Sequence, residues 1–453
     1  MLYYKNLTPG IWKMIHTEPL TEAQRKKSQL NFYGFYAING ISYMCLGETV
    51  MILLAVKMQA SDSVVSALGA MLYFGYLLLP LGKIVAAKYG GAYSQSFFWI
   101  CRNIAALLVG ASAILNSYGY SATATVLILA GAFFFYGFRA AGVVMSQPLI
   151  GDISGKDSSK VLALSNGIFF FTRMSTILAI TLIIKYNDSL PTLITIIFFG
   201  AICGITSSKF LRNIDETDAI CKSARNPLAP EIKWGLGSAV LRRQLITGFI
   251  SNLAWIMTIP ISTLAIKRGY NATDADALVF TISLSAGASI MSFLSGRISQ
   301  VIGPRRHLIL SHILLTLSSF IWFIFPQKMP YIYLLIHFFI LGTITIWTNN
   351  ASIHYFLQTI PQEHRVGGSI LHAVVTGVFS GLTGIAVTGF MLEFIPGFTK
   401  SPLDGYKLYF LVTAVFLAAT LYFFFALTPL SIDKRKLSRR LKNAVAVFIL
   451  RRH

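Results

Sequence analysis

Three arginines stand inside long apolar runs: Arg102 in SFFWICRNIAALLVG, Arg139 in GAFFFYGFRAAGVV and Arg173 in GIFFFTRMSTILAI. A guanidinium stays charged at every accessible pH and presents its N–H donors as a planar fork that fits carboxylate or phosphate. Charge inside a bilayer is costly, so such residues mark a functional site unless they are paired. Glu48 is the one carboxylate well inside an apolar run, which leaves at least two arginines without an acid partner there. The chemistry predicted is capture of an anion without bond-making, with Arg102, Arg139 and Arg173 as its contacts.

Helical spacing places other groups beside them. Asn166, Phe169, Phe170 and Arg173 fall at i, i+3, i+4 and i+7, and Tyr136 lies three residues before Arg139. Tyr36, Asn39, Gly40 and Tyr43 form one polar face of the first apolar run. The second half is polar without buried Lys or Arg. Asn252 belongs to one run, Thr343, Trp347, Asn350 and His354 share a face of another, and His372, Thr376, Ser380 and Thr383 line up on a third. These groups suit neutral hydrogen bonding of a substrate, or bonding between helices. Glu48 and His372 are the candidates for proton coupling, since burial and a neighbouring arginine pull a carboxylate in opposite directions and histidine titrates near neutrality. A permanent salt bridge is the alternative for Glu48.

Enzyme and ATPase motifs are missing: there is no GxxxxGK[ST] or HExxH run and no paired-carboxylate set. Neither a cofactor nor a metal is expected. Asp274 and Asp276 read as a helix start. Cys45, Cys101, Cys203 and Cys221 show no CxxC pairing and read as small buried residues.

The elements that must position these groups follow from composition. Of 453 residues, 55% are hydrophobic and 12% charged, too few charges to cover a soluble protein of this size. Apolar runs near twenty residues predict twelve membrane-spanning helices, at about 30–56, 64–86, 93–116, 122–147, 159–184, 190–209, 244–266, 275–295, 307–325, 331–356, 367–392 and 406–428. Uninterrupted runs of this length exclude a β-barrel. Pro260 is expected to break the helical ladder locally. The class is an all-α integral membrane protein.

The net charge of +21 reports topology and not nucleic acid. With the N-terminus inside, 28 of the 38 Lys/Arg fall in segments on that side, seven fall outside, and three are the buried arginines. Both termini are therefore expected in the cytoplasm of a multi-pass protein of the plasma membrane, the inner membrane if the source is bacterial. The expected division is a cytoplasmic segment 1–28, a six-helix unit 29–211, a basic linker 212–241, a second six-helix unit 242–429 and a basic amphipathic tail 430–453. Trp12 and Ile15 suggest a short surface helix or a loose tail, and the C-terminal tail suggests binding to anionic lipid.

The two halves share a further pattern, GKIVAAKYGG at Gly82 to Gly91 and GRISQVIGPRR at Gly296 to Arg306. Here the sequence resembles the major facilitator superfamily, whose corresponding loops carry a glycine, an Asp-Arg pair, a second glycine and basic residues. Gly296, Gly303, Arg305 and Arg306 fit, with Gln300 and Val301 in place of Asp-Arg; in the first copy Ala87 and Lys88 stand there, with Gly82 and Gly90. The resemblance implies two pseudo-symmetric six-helix bundles around a central cavity, alternating access by rocking of the bundles, and gating roles for these loop residues. Glycines of the eleventh run, Gly377, Gly381, Gly384 and Gly389, are expected to pack helices closely.

The function expected is secondary active transport of an organic anion or acidic amphiphile, with a proton or a counter-ion as coupling partner, by a monomer. The alternatives are a drug or lysolipid exporter, a membrane-embedded lipid-modifying enzyme and a receptor that does not transport.

Overall fold

The computed structural model describes residues 15–429 apart from 62, 63, 65–67, 69, 70, 188, 273, 396–398 and 400. Trp12 and the basic tail from residue 430 lie outside the described residues, and with them the expectations of a surface helix and of lipid binding.

Among the described residues 12 helices are long and apolar enough to cross a membrane. The first six are α1 Glu22–Lys57, α2 Met71–Tyr89, α3 Gly91–Ser117, α4 Ser121–Ser154, α5 Ser158–Tyr186 and α6 Leu190–Arg212. The second six are α7 Ala239–Gly269, α8 Asp274–Ile302, α9 Pro304–Ile324, α10 Tyr331–Thr359, α11 Gln362–Phe394 and α12 Pro402–Phe425.

Helices start and stop where local chemistry allows, and this moves several expected boundaries. α1 begins at Glu22 and not near residue 30, because Thr21 and Gln24 form a capping box and Glu22 pairs with Lys26 at 2.9 Å. It is interrupted at Gly47, whose extended backbone caps a second piece, Glu48–Lys57. The side chain of Glu48 is not among the described ones. α4 runs on to Ser154 by adding an amphipathic piece, Ser146–Ser154. Pro260 sits inside the continuous helix Ala239–Leu264, so its break is not seen; a π-helical turn follows at Ala265–Gly269. A second π-helical turn, Val374–Phe379, divides α11.

Six helices pack into each of two bundles with matching neighbours. In the first, α1 lies on α5, α2 on α4, and α3 on α6; in the second, α7 lies on α11, α8 on α10, and α9 on α12. The pairing repeats with an offset of six helices, as a two-fold related pair of bundles requires. Large apolar side chains point outward around the bundles, among them Leu77, Val126, Phe199, Val415 and Phe425. With lipid as solvent, this surface needs no further covering.

The segment between the bundles is folded. Ile15–His16 (β1) pairs in parallel with Glu216–Thr217 (β2), so Ile15 is in a strand and not a surface helix. Two short linker helices follow, Asp218–Arg225 and Leu228–Gly237. The side of the molecule carrying them is called the linker end below.

Candidate functional site

A cavity of about 470 Å³ lies between the bundles. Arg102 and Arg139 line it, together with Tyr36, Asn39, Tyr43 and Asn166 from the first bundle and Asn252 and His372 from the second. The sequence places these residues on four different helices of the first bundle, α1, α3, α4 and α5, and on α7 and α11. The fold brings them to one chamber.

Arg102 is fully buried. Its Nη1 donates to Asn39 Oδ1 at 3.1 Å, and Trp99 Nε1 donates to the same oxygen at 2.9 Å. The guanidinium lies over the rings of Trp99 and Phe135, 5.3 and 4.6 Å from their centroids. Its Nε and Nη2 have no hydrogen-bond partner. The ring faces offset part of the charge, yet the N–H groups on these two nitrogens are left without a partner in a residue that lines the cavity. Buried donors of this kind are expensive unless something binds them.

Arg139 lies 5.4 Å from the centroid of Tyr43, and Arg173 lies 4.9 Å from the same ring. Tyr43 thus couples two guanidiniums. Arg173 also faces Phe169 and Phe170, and its Nε donates to Met44 Sδ at 3.3 Å. It stands behind these rings and does not itself line the cavity. Among the described side chains no carboxylate lies in ion-pair reach of any of the three arginines.

Three further predicted contacts fall beside the cavity and not on its wall. Tyr136 is buried with its backbone against Gly75 of α2. Trp347 packs edge-on to His307 at 4.9 Å. Asn350 lies behind Asn166, which donates to it at 2.5 Å across the two bundles. Sequence reasoning missed Gln95, Trp99, Tyr76, Gln147 and Trp255, all on the wall. Gln95 and Trp99 share a face with Arg102 at i, i+4 and i+7, the signal that identifies them. Trp255 Nε1 and His372 Nε2 of the second bundle and the acceptor Gln95 Oε1 of α3 have no hydrogen-bond partner, so both bundles hold unpartnered polar groups on residues that line the cavity.

The linker end is closed. Gln147 Oε1 of α4 accepts from Ser369 Oγ of α11 at 3.1 Å, and Gln362 Nε2 donates to Asp152 Oδ1 at 3.2 Å. The linker reinforces this contact. Thr217 N donates to Asp152 Oδ2 at 2.5 Å, Lys83 Nζ donates to the carbonyls of Ala224 and Asn226, and His364 Nδ1 meets Glu231 Oε2 at 2.9 Å. Toward the other end, Tyr76 and Tyr73 of α2 lie against Gly377 and Gly381 of α11. Gly384 packs on Ile256, whereas Gly389 has open space around it and packs on nothing.

The loop glycines occupy distinct places. Gly90 and Gly303 hold φ of 91° and 79° at equivalent starts, those of α3 and α9, where a side chain would be strained. Gly82 sits against the Ala141 carbonyl within the first bundle, while Gly296 meets Ser159 and Ala163 of α5 across the seam between bundles. Arg305 Nη2 donates to the Phe425 carbonyl at 2.6 Å, and Arg306 is exposed.

At the first of these loops the linker supplies an acid. Glu216 is buried and accepts from Gly91 N at 2.8 Å and Ala92 N at 3.2 Å, at the N-terminus of α3. Burial outweighs these two donors, with Asp152 nearby adding to it, and pushes the carboxyl up from its ordinary 4.5 to about 8. The folded state therefore holds a proton that the unfolded chain releases. Its stabilising effect is full below about 4.5 and is lost as pH rises through about 8. Thermal unfolding should show stability falling across that window, and Glu216→Gln should flatten the slope.

Twelve spans in two bundles around a chamber lined by polar and aromatic side chains define a membrane carrier. The sequence profile of the Major Facilitator Superfamily matches residues 32–388, and the chain belongs to that superfamily. No curated protein matches it in sequence. Solved structures share the fold. The fucose:proton symporter of E. coli superposes with a TM-score of 0.67 at 12% identity, over 89% of this chain and 98% of that one. A proton:xylose symporter gives 0.64 at 14% identity, over 89% and 97%. A bacterial homologue of the iron transporter ferroportin, in an outward-facing state, gives 0.63 at 13% identity, over 89% and 99%. At such identities the likeness is one of fold alone.

Proposed function

We propose that this secondary transporter carries a small organic anion by alternating access, with Arg102 and Arg139 holding the acidic group. The single observation that carries the reading is Arg102: it is fully buried, lines the cavity, and has two guanidinium nitrogens without a hydrogen-bond partner and no carboxylate in ion-pair reach among the described side chains. Arg173 supports the site through Tyr43. The second bundle faces the remainder of the substrate with Asn252, Trp255 and His372, which suit hydroxyl or carbonyl groups. A chamber of about 470 Å³ suits a compact acid better than a lipid with full acyl chains.

The excess of Lys/Arg in the linker and at both chain ends supports a cytoplasmic linker end in the plasma membrane. The closed linker end then corresponds to an outward-facing carrier. Two of the relatives in fold are named as proton symporters, which supports a proton as the coupling ion here. The protein is read as a monomer.

The test is thermal stabilisation of the purified full chain by a panel of organic anions, neutral sugars, cations and lysolipids. A saturating anion at about a hundred times its Kd adds about 2.7 kcal/mol. The expected outcome is a shift with an anion, strongly reduced in Arg139→Ala and weakened in Arg173→Ala. A shift with cations or neutral ligands alone, indifferent to both changes, would sink the anion reading.

A further inference from the structure

At the linker side of the seam between bundles, α8 and α10 are joined by two polar rungs one helical turn apart. On the first, Asn350 Nδ2 donates to Ser295 Oγ at 2.7 Å; on the second, His354 Nδ1 meets Ser299 Oγ at 2.6 Å. Positions 295 and 299, like 350 and 354, are spaced i, i+4, so one face of each helix carries both rungs. The first rung is tied to the other bundle, since Asn166 of α5 donates to Asn350 Oδ1 at 2.5 Å and also lines the cavity. The second leads outward. His354 Nε2 lies 2.7 Å from Gln358 Nε2, and Gln358 is exposed at the end of α10.

This arrangement differs from those of the other buried histidines. Both ring nitrogens of His307 lack hydrogen-bond partners, His372 Nε2 has none, and His337 Nε2 meets Ser318 Oγ at 3.4 Å while its ring packs on Trp322 and Phe325. His312 is fixed on the Leu417 carbonyl and Thr420. His354 has a partner on each nitrogen, and both partners can change role. In the neutral ring, the Gln358 amide donates to Nε2 and Nδ1–H donates to Ser299. On protonation the amide turns over to present its oxygen, and both ring N–H groups remain satisfied.

We propose that His354 is a proton-binding site reached from the linker end, and that the bound proton favours opening of that end. An imidazolium held in the closed seam has no carboxylate in ion-pair reach among the described side chains, whereas opening would admit water to it. Opening also breaks the Asn166–Asn350 bond one turn away. By linkage, the open state then binds the proton more tightly and the proton favours the open state by the same factor. The inference rests on alternating access and not on the charge of the substrate.

The surrounding charges are few. His307 faces the site from α9, Lys160 at the start of α5 is held by Asp157 at 3.0 Å, and Arg297 of α8 is exposed. Two other histidines at the linker end differ from His354 in standing beside a carboxylate, His364 Nδ1 at 2.9 Å from Glu231 Oε2 and His16 Nε2 at 3.4 Å from Asp215 Oδ1.

The test uses the full chain in lipid nanodiscs without substrate. Hydrogen exchange, corrected for its intrinsic pH dependence, is read on residues 146–154 and 365–373 between about pH 8 and about pH 5.5. Exchange is expected to quicken about tenfold on acidification. His354→Gln should abolish the response and His307→Gln should leave it. Gln358→Leu, on the exposed side, removes the outer partner and should move the midpoint to lower pH. An unchanged response in His354→Gln and Gln358→Leu, or one that vanishes in His364→Gln, overturns the proposal. No substrate enters this measurement, so its failure is distinct from failure of the anion reading.

Discussion

Arg102→Met is expected to raise the melting temperature of the ligand-free carrier while abolishing its response to anions. The two effects have one cause. In the empty protein the guanidinium is removed from water and receives in exchange one hydrogen bond to Asn39 and two ring faces. Methionine has a similar volume and no charge, Asn39 keeps the bond from Trp99, and the desolvation penalty disappears. Replacing buried charge with well-packed apolar groups gains about 1–4 kcal/mol in comparable settings. The bound state loses in return a desolvated charge contact, about 2–5 kcal/mol or more, which is a loss of affinity of at least about thirtyfold. Differential scanning fluorimetry with and without the stabilising anion reads both effects. A destabilised ligand-free protein would instead make Arg102 a structural residue.

Gly342→Ala is expected to cost about 3 kcal/mol or more and to bring transport to background, a larger effect than volume alone suggests. A Cβ at Gly342 would stand 1.8 Å from the Leu284 carbonyl oxygen, and one at Gly287 would stand 2.0 Å from that of Phe339. Each helix therefore places a glycine against the other's backbone, and neither carbonyl can turn aside without leaving its own helical ladder. Forcing α8 from α10 would separate both polar rungs, Asn350 from Ser295 and His354 from Ser299. Gly389→Ala is the control. That position has nothing within 4 Å, and alanine there should be neutral or slightly stabilising. Yield of monodisperse protein and its melting temperature would separate the two.

Much of the architecture was legible because lipid imposes a simple rule: apolar runs of sufficient length become spans, and basic residues mark one side. The ends were less legible. α1 reaches back to Glu22 through polar turns and α4 extends to Ser154 through an amphipathic piece, both invisible to a search for apolar length. The linker read only as a basic segment between the two units, whereas Glu216, Lys83 and Glu231 dock it onto both bundles through partners far away in sequence. The arginines were visible as charges out of place. Which of them faces the cavity was not, since helical spacing defines a face without saying what lies opposite. Arg139 and Arg173 illustrate this, with one on the wall and the other behind Tyr43. On α10 the wall is formed by Thr348, Asn349, Ser352 and Ile353, while Trp347 and Asn350 turn into contacts with His307 and Ser295.

The most direct measurement is counterflow in proteoliposomes loaded with the stabilising anion or with its uncharged amide analogue, followed with labelled compound outside. The account predicts exchange of the anion, none of the neutral analogue, and loss of exchange in Arg102→Met despite its higher melting temperature. Equal exchange of the neutral analogue, unaffected by Arg102→Met, would contradict it.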